Sequence, residues 1–306
     1  MRQAAIALLL AWAGAVAAQD TEELQRQLRD RDARIRELTE RLESLEKKAE
    51  PDDDLLRALE RTLVLQGALM LRPRTYEVEP QFVYERWDKD RPPLRYRSEA
   101  AVTARAGLAW DSQVQIRVPY AHVSTLGDSA SGLGDVDVAL SHQLARESGY
   151  WPGLVASIAW LSRTGSDGLD GRVPTGGGFN VLQAGITASK RQDPLVHYAT
   201  VAYADARARR IEGAYVDPGN TLGFRLGTIL AASPGSSLTL GVNLAFVDSA
   251  RVDGQSVPGT DTVSGTLQIG LGTVLSKSAM LSLGGEFRFS GNVPNFRLSL
   301  ALPIRF

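Results

Sequence analysis

The C-terminal stretch Asn295-Phe296-Arg297-Leu298-Ser299-Leu300-Ala301-Leu302-Pro303-Ile304-Arg305-Phe306 decides the fold. Its even-numbered residues are large and apolar, whereas its odd-numbered residues are polar or small. Successive side chains of a β-strand point to opposite faces, so this strand has one apolar and one polar face. A last strand of this kind, ending on an aromatic residue, is typical of outer-membrane β-barrels, with the apolar face toward lipid. We therefore predict that Phe306 is a membrane-insertion signal.

Length and composition fit one exported domain with N-terminal extensions. The chain has 306 residues, a formal net charge of -1 and 43% hydrophobic residues, enough for a domain of about 200–250 residues plus extensions. The basic residues are scattered, which gives no sign of nucleic-acid binding. After the N-terminus, no run approaches the roughly 18 apolar residues of a spanning helix. Zero cysteines exclude a lipoprotein anchor, disulfides and thiolate metal sites.

Residues 1–18 are predicted to be a secretory signal peptide. Arg2 precedes an apolar run from Ala4 to Ala13, and small residues offer a cleavage site before Gln19. A short membrane anchor is the alternative, but the run is too short and no stop-transfer charges follow it.

Residues 20–50 are predicted to form a periplasmic coiled coil. A heptad seam with one polar interruption, Arg31, runs through Leu24, Leu28, Ile35, Leu38, Leu42 and Leu45. Such a narrow seam needs partner helices. Self-association through residues 24–45 is expected, and a trimer would match the symmetry common among porin-like barrels. A separate periplasmic partner remains the alternative.

Residues 51–74 are predicted to contain a linker and a short helix. A proline and three aspartates interrupt the coiled coil and provide an N-cap. Leu56, Leu59 and Leu63 then recur on one face of a helix over 55–67. The amphipathic pattern shows only that one face is covered. The helix therefore either packs at the barrel base as a spacer or enters the lumen as a plug.

Residues 75–306 are predicted to form about twelve antiparallel barrel strands. Alternating apolar and polar residues identify the strands, and turn residues separate them. The predicted spans are 75–87, 98–110, 113–124, 134–146, 153–164, 179–191, 195–208, 220–232, 237–249, 261–275, 280–290 and 295–306. The strand over 195–208 fits either register.

The predicted connections alternate between short turns and long polar loops. The short turns include 111–113, 192–194, 233–236 and 276–278. The long loops are 88–93, 127–134, 165–178, 212–219 and 248–261. This asymmetry is typical of the periplasmic and outer ends of a barrel. An even number of strands also places both barrel termini on the periplasmic side, where the coiled coil is expected.

Charged residues at inward strand positions are the candidate functional residues. They are expected to line or gate the lumen, at Glu77, Glu79, Glu85, Arg105, Arg117, Arg225, Glu286, Arg288, Arg297 and Arg305. A luminal charge must be solvated or paired. Because the first and last strands of a closed barrel are neighbours, Glu77 and Glu79 are expected to pair with the two arginines of the last strand. A structural ion-pair network is favoured over a substrate site.

An enzyme is not expected, and neither is a metal or cofactor site. His122, His142 and His197 fall on separate predicted strands without metal-ligand spacing. No acid, base and nucleophile share a convincing spacing. The expected partners are outer-membrane lipid, the barrel-assembly machinery, the chain itself and a transported cargo.

Two stretches carry a family resemblance: Gly132-Leu133-Gly134-Asp135-Val136-Asp137-Val138-Ala139-Leu140, and residues 58–63 through 77–84. The first resembles the Gly-Leu-Gly-Asp start of a barrel strand, and the second the barrel entry, of an outer-membrane transporter family called "MetA-pathway of phenol degradation". Gly134 and Asp135 are interpreted as shaping that strand rather than binding cargo. The family is related to long-chain fatty-acid channels, which implies transport without naming a substrate.

The order of segments also resembles the amyloid-secretion channel of pseudomonads. In that trimeric protein a helix plugs a twelve-stranded barrel. The sequence thus predicts an all-β transmembrane barrel of the outer membrane, with its N-terminal region in the periplasm, that passes cargo passively and is gated by the 55–67 helix. The cargo is either small hydrophobic or aromatic compounds or secreted, amyloid-like polypeptide. The alternative is a structural envelope anchor that carries a coiled coil without transport.

Overall fold

A computed structural model of the chain describes residues 31, 34, 37, 53–88, 94–168, 172–233 and 235–306. Arg31, Arg34 and Glu37 are helical and exposed. The predicted signal peptide and the rest of the predicted coiled coil lie outside the described residues. In the described ranges, the helical segments are too short or too polar to cross a membrane.

From residue 53 onward the chain forms one helix, α1 (Asp53–Leu65), followed by strands. The barrel strands are β1 (Tyr76–Arg86), β2 (Leu94–Leu108), β3 (Ser112–Thr125), β5 (Asp137–Ala145), β6 (Gly153–Leu161), β7 (Val181–Gln192), β8 (Leu195–Ala206), β11 (Thr221–Ser233), β12 (Ser236–Val247), β15 (Thr262–Val274), β16 (Met280–Ser290), β17 (Phe296–Ala301) and β18 (Ile304–Arg305). The remaining strands are β4 (Ser129–Leu133), β9 (Arg209–Ile211), β10 (Ala214–Asp217), β13 (Arg251–Val252) and β14 (Gln255–Ser256).

Twelve antiparallel strands close the barrel, since β17 and β18 are two parts of one interrupted last strand. The pairing order is β17-β16-β15-β12-β11-β8-β7-β6-β5-β3-β2-β1, and β1 returns to β17 and β18. In this closing pair Gln81 lies opposite Ala301, and Glu77 lies opposite Arg305. Closure leaves no free barrel edge with unpaired backbone groups. The prediction of twelve antiparallel strands is confirmed.

The two faces of the barrel wall differ as the alternation predicts. Apolar residues exposed on the outside occur on strand after strand, for example Val102, Ile116, Leu140, Ile158, Ile186, Leu226, Leu240, Ile269, Leu283 and Leu300. In β8, whose register the sequence left open, Val201 and Tyr203 are exposed, whereas Val196 and Tyr198 are buried. The outer surface therefore forms a continuous apolar belt, as contact with lipid requires.

The last strand is interrupted at Leu302 and Pro303, where the sequence predicted an unbroken strand. Proline has no amide hydrogen to donate to the ladder, but its carbonyl accepts a bond from the Met280 amide (3.1 Å). Pairing resumes at once, and the Phe306 amide donates to the Tyr76 carbonyl (2.8 Å). The final residue is thus paired with the first residue of β1.

Three of the predicted polar loops contain strands. β4, within the predicted loop 127–134, pairs with β3. β9, β10, β13 and β14 form a separate four-stranded sheet, in the order β14-β13-β10-β9. Its two hairpins turn at Glu212-Gly213 and Asp253-Gly254, with φ of 48° and 94° and of 50° and 81°. Positive φ at both central residues is the geometry of the tight hairpin turns that such acidic-glycine pairs favour.

An arginine substitution on each face of β7 tests the orientation of the wall. We expect Ile186→Arg, on the outward face, to lower the free energy of unfolding by about 2–4 kcal/mol, because it places a charge in the apolar belt. Gln183→Arg lies on the inward face of the same strand and is expected to cost less than about 1 kcal/mol. Denaturant titration of both variants in lipid vesicles provides the measurement. Equal losses would contradict the assignment of the faces.

Candidate functional site in the barrel lumen

Helix α1 packs against inward-facing residues at the end of the barrel that carries the short turns. A buried apolar cluster joins Leu59 and Ala68 to Val196, Tyr198 and Ile229 of the wall, with Leu63 beside it. Leu59 and Leu63, two of the three predicted plug residues, are therefore in contact with the barrel. The side chain of the third, Leu56, lies outside the described residues. The apolar face of the predicted helix is covered by β8 and β11.

Polar contacts supplement this cluster. Thr62 Oγ1 lies 2.7 Å from Ser237 Oγ on β12, and both side chains are buried. The Tyr198 hydroxyl donates to Gln66 Oε1 (3.3 Å). Arg61 donates to the carbonyl oxygen of Lys277 (2.5 Å), in the turn between β15 and β16. Helix and wall thus share matched hydrogen-bond donors and acceptors as well as apolar surface.

Two glycines of the wall make this close approach possible. A Cβ atom at Gly227 would lie 2.4 Å from the Tyr198 ring and hydroxyl. A Cβ atom at Gly272 would lie 2.7 Å from Ser237 Oγ and 3.0 Å from Thr62 Oγ1. Neither contact is sterically tolerable for a side chain, so both positions are restricted to glycine while Tyr198 and Thr62 keep these places.

The chain continues from the helix toward the opposite wall. Gly67, with φ of 69°, ends the helix as the sequence predicted. The Leu71 amide then donates to Gln113 Oε1 of β3 (2.9 Å), and the Arg74 amide donates to the Gly107 carbonyl of β2 (3.0 Å). In the pairing order β3 and β12 are six strands apart in both directions. Residues 53–74 are thus attached to opposite sides of the barrel, and they are hereafter called the plug segment after the role that the sequence predicts for them.

The inner ion-pair cluster lies at the same end of the lumen. Arg105 Nη1 contacts Glu77 (3.0 Å) and Glu79 (2.6 Å), and all three side chains are buried. Arg305 contacts Glu77 (3.2 Å), as barrel closure predicts, and also Glu60 of α1 (3.6 Å). The predicted pairing of Glu79 with a last-strand arginine is wrong. Arg105 lies directly opposite Glu77 on β2, so its guanidinium also reaches the neighbouring inward residue, Glu79.

A second cluster lies at mid-height on β2, β3 and β5. Glu99 accepts a bond from Arg97 (2.7 Å) and also contacts Arg117. Arg117 also contacts Asp137 (3.7 Å). Arg117 was a candidate from the sequence, but its partner Glu99 was not. Glu99 has the same inward parity on β2 as Arg105, and extending that alternation toward the start of the strand would have identified it.

The remaining candidates lie in the half of the lumen away from helix α1, toward the long loops, which is called the outer half from here on. Arg297 contacts Glu85 (3.4 Å), which is its cross-strand neighbour on β1. Arg288 contacts Asp88 (2.6 Å), beyond the end of β1. The other two candidates, Arg225 of β11 and Glu286 of β16, line a cavity of about 270 Å³ together with Glu85 and Arg297. The ten charged candidates are therefore inward-facing, but they form separate inner, middle and outer groups.

The loop between β6 and β7 folds into the outer mouth. Val173 is buried against Val123, an inward residue of β3. Asp135 accepts bonds from two amides of this loop, those of Gly165 (2.9 Å) and Gly177 (2.6 Å). The Gly-Leu-Gly-Asp motif therefore lies at the junction of β4 and β5, and its aspartate anchors a long loop. This role was not predicted.

His122 and His142 lie near opposite ends of the paired strands β3 and β5, and His197 lies on β8. Each lies near a hydroxyl oxygen of a neighbouring strand: His122 near Ser131 (2.7 Å), His142 near Ser112 (3.0 Å) and His197 near Thr228 (2.8 Å). The described part of the chain contains no group of three His, Cys, Asp or Glu residues able to hold a metal ion.

Comparison with known proteins shows the fold. The barrel is similar to the COG4313 outer membrane channel from Pseudomonas putida F1, with a TM-score of 0.66 and 15% sequence identity over 78% of this chain and 97% of that chain. The NanC porin structure aligns at a TM-score of 0.49 and 7% identity over 75% and 98% of the two chains, which is too weak to add to the argument. No protein-family model and no curated protein matches the sequence. The chain therefore has the fold of an outer-membrane channel, while the finer resemblances stay predictions.

Removal of Arg105 tests the inner cluster. We expect Arg105→Met to lower the free energy of unfolding by about 3–5 kcal/mol, because it leaves the buried carboxylate of Glu79 without its cation. Combining it with Glu79→Gln should restore most of the lost free energy of unfolding, since an amide tolerates burial better than a carboxylate. Denaturant unfolding in vesicles measures both.

Arg97→Met serves as the matched control. Its side chain is 28% exposed and Glu99 keeps Arg117 as a partner, so the expected loss is below about 1 kcal/mol. A loss for Arg105→Met no larger than that of this control would show that the inner cluster contributes little to stability.

Proposed function

We propose that this protein is an outer-membrane channel for the passive passage of small polar solutes, closed at its periplasmic end by the plug segment. The observation that carries the proposal is the attachment of residues 53–74 to both β12 and β3, on opposite sides of the lumen. The apolar belt and the similarity to an outer-membrane channel fold support the location. The even number of strands supports a periplasmic position for both barrel termini.

The contacts of the plug segment favour a gate over a permanent part of the wall. The Glu60–Arg305 ion pair between this segment and the barrel is long (3.6 Å) and partly exposed, and such pairs contribute little to stability. The Thr62–Ser237 contact joins two neutral hydroxyls, each of which could bind water instead. The barrel's own backbone pairing involves none of these contacts. The segment can therefore leave the lumen without opening the wall.

The lining of the lumen favours small polar cargo. Its inner, middle and outer charged clusters present arginine and carboxylate groups to any solute, which disfavours the hydrophobic or aromatic compounds that the sequence left open. The inward loop around Val173 also narrows the outer mouth, which disfavours a secreted polypeptide. The envelope-anchor alternative requires that no solute passes.

A disulfide between helix and wall tests the gate. The chain has no cysteine, so the intended bond is the one intramolecular disulfide that Thr62→Cys/Ser237→Cys can form, between positions whose side-chain oxygens are 2.7 Å apart. We expect the oxidised full-length protein to give no openings in a planar bilayer under applied voltage. Reduction with dithiothreitol should restore the openings of the unaltered protein.

Thr187→Cys/Thr200→Cys is the matched control. These positions are also inward and 3.0 Å apart between side-chain oxygens, but both belong to the barrel wall. Its conductance should not depend on oxidation. Equal conductance of the oxidised and reduced helix-wall variant would contradict the gate but not the channel. A folded barrel that stays silent in every state would contradict transport and favour the anchor.

A further inference from the structure

We propose that the outer half of the lumen contains a binding site for a small zwitterion, a molecule that carries both a carboxylate and an ammonium group, as free amino acids do. The proposal rests on the proposed channel function and names the class of solute that the channel would take. The site is the cavity of about 270 Å³ beneath the loop between β16 and β17.

The charges that line this cavity are not fully paired with one another. Arg297 lies opposite both Glu85 and Glu286 in the strand register, and it contacts Glu85 at 3.4 Å. Within the described ranges, Glu286 makes no hydrogen bond or ion pair, and Arg225 contacts no carboxylate. Arg225 instead donates from Nε to the neutral Oδ1 of Asn243 (3.0 Å). The cavity therefore holds one cation and one anion that lack an ionic partner.

This arrangement differs from the other luminal charges. Arg105 and Arg288 each contact a carboxylate within 2.6 Å. A charge in the lumen is stable only when it is solvated or paired. Two opposite charges that face a shared cavity without pairing can both be satisfied by one ligand that carries the complementary charges.

The orientation of Arg225 suits a carboxylate. Asn243 Nδ2 donates to Thr266 Oγ1 (3.1 Å), which turns its Oδ1 toward Nε of Arg225. In the part of the chain that the structure describes, neither terminal nitrogen of the Arg225 guanidinium has a hydrogen-bond partner, and two such donors match the two oxygens of a carboxylate. We assign the ligand's carboxylate to Arg225 and its ammonium to Glu286. Val293 and Pro294 supply an apolar part of the lining, which fits a small aliphatic side chain.

A ligand with only one of the two charges fits less well. A simple anion would pair with Arg225, but the cavity is also lined by two carboxylates, Glu85 and Glu286, against which Arg297 is the one further cation of the described lining. A simple cation would leave Arg225 without a carboxylate. The site thus discriminates by the presence of both charges in one small molecule, and an amino acid with a neutral side chain is the smallest common example.

Calorimetric titration of the unaltered full-length protein in detergent provides the first test. The probe is L-leucine, compared with N-acetyl-L-leucine, which lacks the ammonium, and L-leucinamide, which lacks the carboxylate. We expect each analogue to bind at least tenfold more weakly than L-leucine. Equal binding of N-acetyl-L-leucine, equal binding of L-leucinamide, or no binding of L-leucine would each overturn the zwitterion site.

Single-residue variants then test whether L-leucine binds in this cavity. Glu286→Gln and Arg225→Gln should each weaken L-leucine binding at least tenfold, whereas Arg146→Gln, which alters an exposed arginine that does not line the cavity, should leave it unchanged. An unchanged affinity in Glu286→Gln would overturn the assignment to this cavity. Because binding is measured at equilibrium without current, a failure here is separable from a failure of the channel. A channel that conducts but does not bind L-leucine contradicts only the zwitterion site, and a protein that binds but never conducts contradicts only transport.

Discussion

Backbone pairing between β1 and the last strand is the constraint on which the rest of the structure depends. It joins Tyr76 to Phe306 at the inner rim and Glu85 to Arg297 in the outer half. Without it, both strands would present unpaired backbone groups, which an apolar surrounding makes costly. Closure also turns one face of every strand toward a common lumen. Because these inward faces meet in one lumen, charged side chains of different strands can form ion pairs and the plug segment has a surface to bind.

Most of the wall could be predicted from the sequence, because a barrel strand carries its own signal in the alternation of apolar and polar residues. β8 fitted two registers because apolar residues occupy both of its faces, with Val201 and Tyr203 exposed and Val196 and Tyr198 buried against the helix. The four-stranded outer sheet was missed because its strands are two to four residues long, too short for a period of two to show. Its signal was instead the acidic-glycine pairs at its hairpin turns, which are positioned for positive φ.

The sequence predicted which charged residues face the lumen, but it did not predict which of them pair with one another. The alternation of side chains along each strand identified the ten inward charged residues. Their ion-pair partners, however, depend on the register in which neighbouring strands pair. That register places Arg105 of β2 opposite Glu77 and within 2.6 Å of Glu79, so Glu79 pairs with β2 rather than with the last strand. The surface of the wall that helix α1 contacts could not be predicted either. An amphipathic pattern states that one face is covered, whereas the covering surface here depends on Gly227 and Gly272, single glycines on strands far away in the sequence.

The outer sheet has a mechanical consequence for the wall that faces the plug segment. β10 follows β8 and β13 follows β12, and the pairing of β10 with β13 joins these two connections above β11 and β12. The same strands carry the helix contacts at their other end, through Tyr198, Ile229 and Ser237. Beyond the ends of its barrel strands, this sector of the wall therefore carries extra backbone hydrogen bonds. In the described residues, the sector of β5 and β6 has no such additional sheet. These extra bonds oppose deformation of the sector, so in the proposed gate the opening movement would be made by the helix rather than by the wall.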